Sequence, residues 1–150
     1  MTKGDIAYNN FLSGYNCTQA VAVAFAEELG LDVDTAARLS CGFGGGMGRL
    51  REVCGTFSGI VMVLSQLYGY SDPKDLTAKK ELYEKIRALA ERFRADNGSI
   101  ICRELLGLDK PEPSATPEPR TSEYYKKRPC PELCRYAADL LEEFIKENPV

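Results

Sequence analysis

Apolar residues recur along this chain at helical spacing in separate stretches, and no clean two-residue alternation persists long enough to argue for a sheet. The first stretch predicts a helix from Asn16 through Glu28. Val21, Ala24, Phe25 and Leu29 supply its apolar side, Asn16 and Gln19 have the spacing of a capping box, and Gly30 is a terminator. Asp32 opens a short helix with Ala36, Ala37 and Leu39, ending at Gly42, where Gly42-Phe-Gly-Gly-Gly-Met-Gly48 begins. So many glycines do not hold a helix cheaply. A third helix, from about Glu52 to Tyr68, is apolar nearly all round and belongs at the centre of the fold.

Asp72-Pro73 and Asn97-Gly98 bracket the longest helix, whose apolar face is Leu76, Leu82, Tyr83, Ile86, Leu89, Ala90 and Phe93. Ser99 caps a short helix bearing Cys102, Leu105 and Leu106. Pro129-Cys130-Pro131 starts the last helix, with Leu133, Ala137, Leu140, Leu141, Phe144 and Ile145 inward. Residues 109–123 hold four prolines and read as a surface linker. The pattern predicts an all-α, compact single-domain bundle of about six helices, with a Gly-rich loop and a Pro-rich linker before the last helix.

Composition narrows the functions open to such a bundle. A chain of 150 residues with 44% apolar content has the size of one domain, and its net charge of -3 gives no nucleic-acid footprint. The longest apolar run, Val53 to Leu64, falls short of the ~20 residues that cross a bilayer, so no membrane insertion is expected. The N-terminus lacks the basic and apolar regions of a secretion signal, which points to a cytoplasmic protein.

Six cysteines and no histidine decide the chemistry. Without imidazole there is no Cys-His dyad and no His-containing zinc motif, and a reducing compartment disfavours structural disulfides. Cys17, Cys54, Cys102 and Cys130 each fall at a predicted helix start, where unpaired N–H groups favour thiolate and lower a cysteine pKa. Brought together, they would suit disulfide exchange or the holding of a metal or iron-sulfur centre. Cys41 looks like core filling, Cys130 and Cys134 share a helix face, and no CxxC pair is present. Gly44, Gly45 and Gly46 with Arg49 suggest a backbone nest for an anion or cofactor, or else a tight connection between helices. Gly55 and Gly59 form a small-xxx-small pattern that suits close core packing or a homodimer contact.

The stretches Gly14-Tyr-Asn-Cys17-Thr-Gln-Ala20, Cys41-Gly-Phe-Gly-Gly-Gly-Met-Gly-Arg49, Cys54-Gly-Thr-Phe-Ser-Gly59, Cys102-Arg-Glu-Leu-Leu-Gly107 and Cys130-Pro-Glu-Leu133 together resemble the C_GCAxxG_C_C family of redox-active proteins. The resemblance maps the four family cysteines onto Cys17, Cys54, Cys102 and Cys130, and the motif glycines onto Gly55 and Gly59. Thr56 stands where that motif usually has alanine, and Cys41 and Cys134 are additional. The resemblance also implies an association with transporters.

Three functions follow as expectations. In the first, a thiol-disulfide protein needing no cofactor, Cys54 attacks, Cys102 or Cys17 resolves the mixed disulfide, and Cys130 completes the set; its partner is a redox protein. In the second, Cys17, Cys54, Cys102 and Cys130 ligate a metal ion or iron-sulfur cluster. In the third, a helical module binds a transporter-associated partner and its cysteines only pack. Cys134 is a candidate resolving thiol for Cys130.

Overall fold

A computed structural model describes residues 1–108 and 113–150. Its described residues form α-helices and turns, with one isolated antiparallel bridge between Val53 and Ile101. The helices are α1 (Lys3–Leu12), α2 (Cys17–Ala24), α3 (Ala26–Leu29), α4 (Val33–Ser40), α5 (Gly55–Tyr68), α6 (Leu76–Asn97), α7 (Cys102–Leu105), α8 (Ser122–Lys127) and α9 (Cys130–Glu147). The all-α expectation holds, with more and shorter helices than the apolar pattern alone predicts.

Two of the additional helices carry caps that the pattern reading passed over. Thr2 and Asp5 form a reciprocal capping box at the head of α1, and the Thr121 side chain accepts from the Tyr124 N–H at the head of α8. The stretch expected as one helix from Asn16 breaks at Phe25 into α2 and α3. There Lys3 Nζ donates to the Ala24 carbonyl at 2.8 Å and pairs with Glu28 at 3.0 Å, drawing that carbonyl away from an unbroken helical ladder. The Asn16–Gln19 capping box and the left-handed Gly30 are both present.

The central helix is α5, sharing its main contacts with α2, α9 and α6. Its inward residues Phe57, Ile60, Val63 and Leu64 meet Val21 and Ala20 of α2, Phe93 of α6 and Ala137 and Leu141 of α9 in one core cluster. α1 lies across α2 and α9, and Gly4 donates its N–H to Asp139 Oδ1 at 2.8 Å. Gly59 faces Val21, where an added Cβ would lie 2.8 Å from the valine Cβ. The small-xxx-small pattern therefore serves close packing of two helices within this chain.

The long helix starts at Leu76 and not at Pro73, because Asp75 is the residue whose carboxylate caps it, accepting from the Ala78 N–H at 3.0 Å. Asp72 instead closes a turn by accepting from Lys74 and Asp75. Leu82, Leu89, Ala90 and Phe93 are buried as expected, whereas Leu76 and Tyr83 are exposed. The predicted linker divides into three: 109–112 lie outside the described residues, 113–121 carry no helix, and 122–123 begin α8. No helix among the described residues is long and apolar enough to cross a membrane.

Candidate functional site

Each of the four cysteines singled out in the sequence opens a helix. Cys17, Cys102 and Cys130 are the first residues of α2, α7 and α9, and Cys54 is the N-cap residue of α5. Cys54 was expected inside its helix, but α5 begins three residues late because the backbone of 51–54 is hydrogen-bonded to that of 100–103. Cys54 N donates to Ile100 O at 2.7 Å, Cys102 N donates to Glu52 O, and Arg103 N donates to Arg51 O at 3.2 Å. In this antiparallel pairing Cys54 and Cys102 are diagonal neighbours, within reach of side-chain contact.

Cys17 approaches from α2. A Cβ on Gly55 would collide with Cys17 Sγ and Thr18 Oγ1, so the motif glycine is what lets this sulfur sit over the first turn of α5. The glycine-rich segment closes the other side. Residues 45–49 run left-handed, with φ of 68°, 70°, 72°, 55° and 65°, and Arg51 has φ 62°. That conformation costs roughly 1–2 kcal/mol at each of the non-glycine positions Met47, Arg49 and Arg51. It is held by Arg51 N to Gly45 O at 3.2 Å and Glu52 N to Gly46 O at 3.0 Å. A Cβ on Gly46 would lie 2.7 Å from both the Cys102 Cβ and the Arg51 Cα, so the loop supports Cys102 from beneath. Asn16 ties the loop to α2 by donating to Cys41 O at 2.8 Å.

Cys17, Cys54, Cys102 and Cys130 line one pocket of about 70 Å³, together with Arg51, Thr56, Arg120 and Tyr124. Cys17, Cys54 and Cys102 are at most 9% exposed, and Cys130 is half-buried. All six cysteines are free thiols. Cys134 lies one turn beyond Cys130, fully buried, with its sulfur 3.9 Å from the Cys17 carbonyl. Cys41 is exposed, with its thiol 3.0 Å from Arg38 O. Core filling, expected of Cys41, therefore falls to Cys134.

Burial overrides the effect expected of a helix start. It pushes the Cys54 thiol up to about 12, with a further upward push from Cys17, while hydrogen bonds from Thr56 oppose it. Cys130 is likewise raised to about 12, by burial and then by Cys17, Cys54 and Cys102. Cys134 is raised well above the usual thiol range for the same reasons. Cys102 is also raised by burial, but the Arg51 guanidinium opposes the rise, donating to its sulfur at 3.7 Å. The reduced site thus holds mostly neutral thiols, and Cys102 has a buried cation at its sulfur. Cys17 is the neighbour felt by Cys54, Cys102, Cys130 and Cys134 alike.

Of the predicted nest residues, Gly44, Gly45 and Arg49 line a second, open cleft, while Gly46 is buried beneath Cys102. Sequence reasoning missed Arg120 and Tyr124, since nothing in a Pro-rich stretch marks them. Arg120 donates to Phe11 O at 2.9 Å and Tyr15 O at 3.0 Å and stacks over the Phe11 ring. Burial and the nearby Cys130 raise the Tyr124 phenol to about 12. Among the described residues no group of three or more Cys, Asp or Glu is disposed to hold a metal ion.

The fold and site define an all-α protein with a thiol-lined pocket roofed by arginines. The chain belongs to the family described as "Putative redox-active protein (C_GCAxxG_C_C)", which it matches over residues 15–144. No curated protein and no solved structure matches it significantly.

Proposed function

We propose that this protein is a thiol-disulfide redox protein whose pocket cycles between free thiols and disulfides. The observation that carries this reading is the gathering of four sulfurs from four separate helix starts around one pocket, with an arginine donating to one of them. Cys102 is the attacking thiolate, in place of the Cys54 expected from sequence, because Arg51 stabilises its ionised form. Cys17, common neighbour of the other sulfurs, resolves the mixed disulfide. Cys54 and Cys130 are the second pair, available for two further electrons.

Titration of free thiols before and after mild oxidation tests the class of chemistry, with reversible loss in twos as the expected result. Loss of thiols singly, or none at all, contradicts it. The assignment within the class is tested by alkylation at neutral pH followed by mass spectrometry: Cys102 is modified first, and Arg51→Met slows that modification about tenfold, the size of one lost charge-assisted hydrogen bond. Modification of Cys54 ahead of Cys102 would remove Cys102 from the attacking role.

A further inference from the structure

The thiol pocket adjoins a larger cleft that neither the family description nor the redox chemistry explains. This cleft, of about 350 Å³, shares Arg51, Arg120, Tyr124 and Cys130 with the inner pocket. Its volume is that of a small-molecule site. The inner pocket, at about 70 Å³, gives a visitor room for little more than a sulfur and a neighbouring carbon, given the ~30 Å³ share of a water molecule. A folded protein segment does not reach Cys102 through it.

The charged residues lining the cleft, among the described residues, are Arg49, Arg51, Arg120, Arg128 and Glu118. Arg128 is matched by Glu118 in an ion pair. Arg120 has main-chain carbonyls as its partners, which orient a guanidinium without cancelling its charge. Arg51 is almost fully buried and donates one N–H to Cys102 Sγ at 3.7 Å, at the boundary between cleft and thiol pocket. A concave, partly enclosed wall of this kind focuses a positive field at the mouth of the thiol pocket.

We propose that the cleft is a binding site for a small anionic disulfide, whose acidic groups rest against Arg120 and its neighbours while one sulfur reaches Cys102. This rests on the thiol-disulfide reading above and names its substrate class. The Cys102 thiolate attacks that sulfur, forming a protein-substrate disulfide as the substrate's own S–S bond breaks and the first thiolate leaves. Cys17 loses its proton to solvent, attacks Cys102 and expels the second thiolate. The protein gains one disulfide, and the substrate is reduced by two electrons to two thiols.

The test uses the full reduced chain with three disulfides of similar size and different charge: dithiodiglycolate, hydroxyethyl disulfide and cystamine. Each rate of thiol loss is divided by that of a small free thiol with the same reagent. The expected result is a preference of about tenfold or more for dithiodiglycolate over cystamine. It shrinks as salt is raised in the unaltered protein and shrinks again in Arg120→Gln. A normalised preference near one, a preference indifferent to salt, or faster thiol loss to the disulfides of insulin would overturn the proposal. Charge-blind loss of thiols in pairs overturns the cleft assignment alone, whereas the absence of paired loss with every reagent overturns the redox reading itself.

Discussion

Thr56 distinguishes one sulfur from its neighbours. Its hydroxyl lies 3.1 Å from Cys54 Sγ and is fully buried, so the bond it makes to an ionised sulfur has no competing water. Thr56→Ala is expected to lower the rate of Cys54 alkylation about tenfold at fixed pH, and Thr56→Ser to restore it; an unchanged rate in the alanine variant would mean the hydroxyl only packs. Cys134 is the contrasting case. Fully buried, with a pKa raised well above the usual range, it has the setting of a core residue. Cys134→Ala should cost about 1–2 kcal/mol in urea unfolding, as for a small cavity, and leave the count of reversibly oxidised thiols unchanged. A drop of two in that count would instead make Cys134 the resolving thiol for Cys130. Both residues stood out in the sequence, one as a departure from the family motif and one as an extra cysteine. That Thr56 would bond Cys54 and Cys134 would rest against Cys17 was not legible, since a hydrogen bond depends on where a neighbouring group comes to rest.

Where helices meet, the decisive residues are those with no side chain. α2 crosses α5 at Gly55 and Gly59, and an alanine at Gly59 would set its Cβ 2.8 Å from Val21. Alanine is the better helix former by about 1 kcal/mol, but overpacking a filled core costs about 1–3 kcal/mol, so Gly59→Ala should lower stability on balance. A melting temperature at or above that of the parent chain would show that the two helices can separate without loss. The glycine spacing was visible in sequence, although it left open whether the crossing lay within one chain or between two. Boundaries were less legible. The central helix lost its expected first residues because 51–54 found hydrogen-bond partners in 100–103, some fifty positions away. The long helix began at Leu76 because Asp75 supplies its cap, while Asp72 closes the turn before it. α1 and α8 were passed over because their apolar faces are short, and only packing against neighbouring elements makes such helices persist.

For the molecule entire, collecting thiols in a low-dielectric pocket ties stability to pH. Cys54 and Cys130 ionise near 12 in the folded chain, against an ordinary value of 9.0. A folded-state pKa above the unfolded one contributes stability that is whole below pH 9 and is lost as pH climbs toward 12, because the unfolded chain gives up those protons first. Urea midpoints measured on reduced protein from pH 7 upward should therefore hold nearly level and then fall across that window. Replacing Cys54 by alanine should flatten the fall, and an equal fall in that variant would assign it to other groups. The amino-acid sequence alone determined the helical class, the Asn16–Gln19 capping box, the close-packing glycines, the absence of imidazole and which four cysteines stand at helix starts, because these depend on local spacing and residue type. Only the tertiary structure decided that those cysteines share one pocket, that burial pushes the thiols of Cys54, Cys102 and Cys130 up, and that Arg51, Arg120 and Tyr124 line the same pocket. Desolvation and charge act through space between residues far apart in the chain, and no local pattern records which of them will meet.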